Sequence, residues 1–460
     1  MFRKLSLTLF IIFISFIIFL PEPALAQEPP QVSAAAAVLV EAGTGKVLFG
    51  KEEHRRIFPA SLTTILTAMV VLDYFDLDEV IVTGSEVRAV PDDSSKAGNV
   101  EGESITVHNL LRACIIISGN ESASVLAMAV AKRVTGDSSI PYTAAERLFG
   151  ELMNEKAREM GAFNSNFVNP HGYHHSNHYT TAYDMALISR EAMKNDIIRA
   201  LCAEVRWAGN GAGPDADPSW TTRNYNFTAR NELIVPAGEF HYPFATGMKT
   251  GRHSAAGDTL AASAMKDGIE LIAVISNSRD PGRWLDAVSL FEYGYGSYSH
   301  VILQEAGDVI GEITVRSPRR QDVEVMELLI TDTVAGFLKQ SELEGLVVDT
   351  FFLPEAIVDD PETIIALRTP VEEGQVLGRI TYSAGGEILY TGDFIAAQSV
   401  GARTFATDID YYWEIIESIF FTRQAVPYWI IAALSLIIIS YAVYRIIKKY
   451  KAVTAFGRRW

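Results

Sequence analysis

The chain has 460 residues, 48% hydrophobic and 21% charged, with a formal net charge of −17. That length suits roughly two to three domains with a full core, and the hydrophobic fraction excludes a disordered chain. No heptad or collagen pattern runs through it. The apolar residues gather in two blocks, one at each end.

The first block is a signal peptide by its layout. Arg3 and Lys4 form a basic start, Leu5 to Leu20 an apolar run, and Ala24-Leu25-Ala26 an Ala-x-Ala cleavage site. Cleavage is expected after Ala26, and residues 27–35 then form a Pro- and Gln-rich linker. Ala36 to Glu41 and Lys46 to Phe49 flank Gly43-Thr44-Gly45, which predicts a β-hairpin. Ser61 to Tyr74 carries Ile65, Leu66, Met69, Val70 and Leu72 at helical spacing, with Pro59 just before the start. Helices are predicted over Val107 to Ile117 and Ala123 to Val134, parted by Ser118-Gly119-Asn120. Two more follow, over Ala144 to Met160 and Thr181 to Asn195, and residues 208–220 read as a loop. Ala245 to His253, Thr259 to Met265 and Glu270 to Ser276 read as strands, and Trp284 to Tyr293 as a closing helix.

The texture changes near residue 300. Val309 to Ile395 alternates short β-rich runs with Gly and Pro, which predicts a small all-β module. Residues 407–425 are amphipathic and suit the surface of a membrane. Tyr428 to Ile447 is the second apolar block, with Arg445 its one charge, and is long enough to cross a bilayer. Lys448, Lys449, Lys451, Arg458 and Arg459 follow, a basic tail expected on the cytoplasmic side. The signal segment carries +1 and residues 427–460 carry +6, which leaves −24 of the chain's −17 on residues 27–426. So acidic a body argues against nucleic acid and against adhesion to anionic lipid. Cys114 and Cys202 make no disulfide framework.

Three short motifs carry the chemistry. They are Ser61-Leu62-Thr63-Thr64 at a helix start, Ser118-Gly119-Asn120 between helices, and Lys249-Thr250-Gly251 on a strand. In that order they resemble the Ser-x-x-Lys, Ser-x-Asn and Lys-Thr-Gly set of penicillin-interacting serine enzymes. With Asn169-Pro170-His171-Gly172 and Thr181-Ala182-Tyr183-Asp184 between them, they are similar to low-molecular-mass penicillin-binding proteins. These are the serine-type D-alanyl-D-alanine carboxypeptidases. The resemblance runs from about Ala36 to Tyr298 and, more loosely, through the β module.

It implies an α+β transpeptidase-like catalytic domain over residues 27–300 and a β-rich domain over 301–405. A juxtamembrane segment over 406–427, a membrane helix over 428–447 and a tail over 448–460 would follow. Ser61 would be the nucleophile that forms an acyl-enzyme. Ser118 and Asn120 would hold the substrate amide and relay protons. Lys249, Thr250 and Gly251 would bind the substrate, with Lys249 on its terminal carboxylate. The implied substrate is a peptidoglycan stem peptide ending in D-Ala-D-Ala, and β-lactams would be covalent inhibitors. No cofactor is implied. No metal is expected either, since no Cys or well-placed carboxylate completes a site around His171, His174, His175 and His178.

The departure from the family lies at Thr64, where its motif has the lysine that acts as general base. A Thr hydroxyl cannot act as a base near pH 7, and no lysine lies between Lys51 and Lys96. Without a neighbouring ammonium, Lys249 is expected to be firmly charged, a carboxylate anchor and a poor base. A second reading follows from Thr64, an impaired homologue that binds D-Ala-D-Ala ends or β-lactams as a wall sensor or scaffold. Arg112 and Arg252 read as solvated charges, and Glu41 keeps the carboxylate of the family's usual Asp.

Overall fold

The computed structural model describes residues 28–209, 225–360, 364–420 and 426–456. The predicted signal peptide and most of the predicted 208–220 loop lie outside the described residues. The chain forms two compact units. The first reaches His300 and takes in Phe337–Ser341, and the second holds Val301–Gly336 and the residues from Glu342 on.

The first unit is built on an antiparallel sheet. Its strands are β1 (Ala36–Glu41), β2 (Val47–Lys51), β7 (Ala245–His253), β8 (Gly257–Lys266) and β9 (Ile269–Ser278), in the order β2-β1-β9-β8-β7. The predicted hairpin is β1–β2, and Glu41 holds its turn. The Glu41 carboxylate accepts from the Gly43 N–H (2.7 Å), the Thr44 N–H (2.6 Å) and the Thr44 hydroxyl (2.6 Å). Two short strand pairs, β3 (Val80–Val82) with β4 (Ser104–Thr106) and β5 (Arg206–Gly209) with β6 (Tyr225–Thr228), are not marked by strand patterning in the sequence.

Both faces of the main sheet are covered, which explains its unbroken apolar strands. Ala36, Val38 and Val40 join a core with Val274, Ala261 and Met248 on one face. Ala37 and Leu39 join Leu260, Ile275, Trp284 and Phe291 on the other. The second face is closed by α7 (Gly282–Ser297). The first is covered by α1 (Thr63–Leu72), α2 (Val107–Ile116), α3 (Asn120–Thr135), α4 (Tyr142–Glu159), α5 (Ala182–Ala192) and α6 (Asp196–Ala203). Helix α1 is buried all round, from Thr63 to Val71, as a helix with apolar residues on every side must be. It packs against α2 to α6 and is preceded by a 3₁₀ turn, Ala60–Leu62, beside strand β7 at the rim of the sheet.

In the second unit a five-stranded sheet runs Val309–Thr314, Val325–Ile330, Glu387–Ala396, Val376–Ala384 and Val347–Phe352 in spatial order. Its core includes Met326, Leu377, Ile380 and Phe394. This is the predicted β-rich region. Helix α8 (Phe405–Phe420) follows, exposing Phe405, Ile409, Tyr412 and Trp413 while Arg320 and Arg403 pair with its Asp408. Helix α9 (Val426–Phe456) contains the apolar stretch Val426–Lys449, with a mean hydropathy of 2.2. That stretch is long and apolar enough to cross a membrane, by length and composition.

Candidate active site

The structure brings Ser61, Ser118 and Thr250-Gly251 to one cavity of about 330 Å³, although these residues are up to about 190 positions apart in the chain. Ser61 sits in the 3₁₀ turn that leads into α1. The backbone is forced into place there. Ala60 has φ +49°, sparsely populated for a residue with a side chain. The Ala60 carbonyl accepts from the Thr63 hydroxyl at 2.7 Å. Thr63 Oγ1 in turn lies 2.9 Å from His178 Nε2. His178 Nδ1 accepts from the Val168 N–H at 3.2 Å, so in the neutral ring Nε2 carries the proton and donates to Thr63. Burial holds this ring neutral, with its pKa down at about 3. The sequence reading, which weighed His178 only as a metal ligand, missed this role.

The Asn169-Pro170-His171-Gly172 loop closes over the same turn. Asn169 Oδ1 accepts from the Gly172 N–H at 2.8 Å. Gly172 has φ +80°, and a Cβ there would collide with the Ala60 carbonyl. Thr67 of α1 donates to the Pro170 carbonyl at 2.5 Å. The motif thus serves to brace the turn that presents Ser61.

Strand β7 forms the edge of the sheet and passes beside Ser61. A Cβ on Gly251 would stand 3.0 Å from the Ser61 nitrogen, so only glycine lets this strand approach so closely. The free edge of β7 is suited to pair with an extended peptide.

Lys249 points inward. It is 1% exposed, and its Nζ donates to Ser118 Oγ and, at 2.8 Å, to the Thr250 carbonyl. Burial first, and the charge of Arg230 second, push its pKa down to about 7. This overturns the expectation of a firmly charged Lys249, because the sequence does not show how deeply the strand is covered. Ser118 is itself held at φ +62° between α2 and α3. Asn120, the first residue of α3, is buried, and its Oδ1 has no hydrogen-bond partner.

Thr64 is fully buried, and its hydroxyl donates to the Ser61 carbonyl at 2.9 Å. The cavity's cations are arginines that the motifs do not include. Arg230, Arg252 and Arg283 all line it, together with Ser95 and Glu232. Arg230 donates to Ser95 Oγ at 2.7 Å. Arg283 donates to Asp258 at 3.0 Å, which fixes its guanidinium at the cavity wall. Arg252 is exposed but borders the cavity, so it is more than the solvated charge its sequence context suggests. Arg112 is not solvated either. It pairs with Glu204 at 2.9 Å and lies over the Trp207 ring. Cys114 and Cys202 are buried free thiols. Among the described residues, no group of three or more His, Cys, Asp or Glu is placed to hold a metal.

The family profile described as D-alanyl-D-alanine carboxypeptidase (peptidase S11) matches residues 23–280. The chain is 26% identical to D-alanyl-D-alanine carboxypeptidase DacF of Bacillus subtilis, over 88% of this chain and 96% of that protein. It is 27% identical to D-alanyl-D-alanine carboxypeptidase DacA of Haemophilus influenzae, over 81% of this chain and 86% of that one. Among solved structures, the D-alanyl-D-alanine carboxypeptidase DacD of Francisella tularensis superposes with a TM-score of 0.61 at 22% identity, covering 82% of this chain and 97% of that one. Penicillin binding protein 5 of Haemophilus influenzae gives 0.58 at 24% identity, over 82% and 99%. These two likenesses establish the α+β transpeptidase-like fold. None of these relatives supports the binding-only alternative.

Proposed function

The chain belongs to the D-alanyl-D-alanine carboxypeptidase family of serine peptidases, and from that membership we propose how its own residues perform the reaction. Ser61 Oγ attacks the carbonyl between the last two residues of a peptidoglycan stem peptide ending in D-Ala-D-Ala. The terminal D-Ala leaves, and water hydrolyses the ester at Ser61. β-Lactams acylate the same oxygen.

The observation that carries this reading is the placement of Ser61. It stands at the N-terminal end of α1, where the dipole favours negative charge, and beside the edge strand β7. The Ser61 N–H and an N–H of β7 beyond Lys249 form the oxyanion hole. The substrate pairs with the free edge of β7. Its terminal carboxylate is taken by the Thr250 hydroxyl and the guanidiniums of Arg230, Arg252 and Arg283, which border the cavity. Lys249, whose Nζ is taken by Ser118 and the Thr250 carbonyl, supports them from beneath. Asn120 holds the peptide amide.

The apolar helix and the relatives point to a membrane-associated protein. In our reading the signal peptide exports the body, Val426–Lys449 spans the membrane, and the basic residues from Arg445 on keep the tail cytoplasmic. The β-rich unit then lies between membrane and wall.

The test is release of free D-Ala from diacetyl-L-Lys-D-Ala-D-Ala by the detergent-solubilised full chain. Ser61→Ala removes the release in this account. Release that persists in Ser61→Ala would overturn it.

A further inference from the structure

We propose that in this chain Ser118 and Lys249 together form the proton acceptor for Ser61, the task that Thr64 leaves open. The inference rests on the reading of Ser61 as the nucleophile. Two observations carry it. Thr64 spends its hydroxyl on the Ser61 carbonyl and presents no base. Lys249 Nζ is in hydrogen-bond contact with Ser118 Oγ, and Ser118 borders the same cavity as Ser61.

The surroundings of Lys249 fit the role. Cys114 on α2 and Cys202 on α6 face it as neutral, buried thiols. Arg230 and Arg283 are the cations acting on it. Glu121 Oε1 accepts from the Gly98 and Asn99 N–H groups while its Oε2 is buried without a hydrogen-bond partner, and Asp258 holds Arg283. Among the described residues no carboxylate pairs with Lys249 to keep it charged, and burial leaves it with a pKa of about 7. A large share of it is therefore a neutral amine at neutral pH.

The step balances. The Nζ lone pair accepts the Ser118 proton while Ser118 Oγ accepts the proton of Ser61. The Ser61 Oγ–carbon bond forms as the carbonyl pair moves to oxygen. On collapse the carbon–nitrogen bond breaks, and the proton returns from Lys249 through Ser118 to the leaving nitrogen.

The test is the rate of Ser61 acylation by benzylpenicillin from pH 5.5 to 9, read by intact mass on the detergent-solubilised full chain. The rate of the natural chain is expected to rise through one ionisation near neutrality. In Ser118→Ala it is expected to fall by about 10²–10⁴, the usual worth of a general base, and to lose that ionisation. Adding Thr64→Lys to Ser118→Ala restores acylation at least tenfold, because the new amine reaches Ser61 directly; a merely structural loss would not be rescued this way. Ser118→Gly, which suits φ +62°, repeats the test where the alanine variant does not fold. Unchanged rate and pH profile in Ser118→Ala, with Ser61 still labelled in the natural chain, overturns the proton-acceptor assignment and leaves the nucleophile standing. No Ser61 label in the natural chain at any pH, but a label in Thr64→Lys, also overturns it. No label in either overturns the nucleophile reading itself.

Discussion

The hydroxyl of Thr64 donates back to the carbonyl of Ser61 across 2.9 Å, one turn behind it. A side chain tied to its own helix in this way fills the family's base position without serving it. Thr64→Lys is expected to raise D-Ala release by about 10–10²-fold at neutral pH, since a second base adds to one already present. The new ammonium would lower the pKa of Lys249 further, since like charges depress one another. The pH–rate profile of the variant checks the rate and this shift together, and a rate that does not change sinks the idea that position 64 limits turnover.

Arg283 is held at the cavity wall by Asp258, with little freedom to leave. Arg283→Ala is expected to raise KM for a D-Ala-D-Ala peptide about tenfold or more, with a smaller change in kcat, since a charge-assisted bond to a carboxylate contributes ~1.5–3 kcal/mol. A substrate amidated at its C-terminus should not distinguish the variant from the natural chain. Steady-state kinetics on the two peptides make the comparison, and equal losses on both would remove the carboxylate role.

His171 and His178 are buried and neutral, with pKa values pushed down from 6.5 to about 4 and about 3. The unfolded chain therefore binds more protons than the folded one between those values and 6.5. Stability is complete above about pH 6.5 and is lost as pH falls toward 3. The slope is at most about 1.4 kcal/mol per pH unit for each ring. Thermal unfolding followed from pH 7 to pH 4 should show the fall, and His178→Gln should flatten it. A Tm independent of pH over that range would contradict the neutral, buried assignment.

Much of the first unit was legible because its signals are local. The hairpin around Gly43-Thr44-Gly45, the strands from Ala245 to Ser276 and the helix after Ser61 follow from periodicity and turn residues alone. What was not legible depends on tertiary burial. Lys249 looks like any strand lysine until α2 and α6 set Cys114 and Cys202 against it. Arg230 and Arg283 carry no motif and reach the cavity only through the folding of distant segments. Position 178 reads as one of four clustered histidines, yet its geometry makes it the brace for Thr63 and Ala60. The short strand pairs were hidden for another reason. Three- and four-residue strands such as Val80–Val82 are too brief to show an alternation.

The central claim is that Ser61, despite Thr64, is an acyl-accepting nucleophile. The most direct measurement is the intact mass of the detergent-solubilised chain after exposure to benzylpenicillin, followed by mapping of the labelled peptide. The account predicts a single adduct on Ser61, absent from Ser61→Ala. A folded chain that takes up no adduct, or takes one up elsewhere, would contradict it.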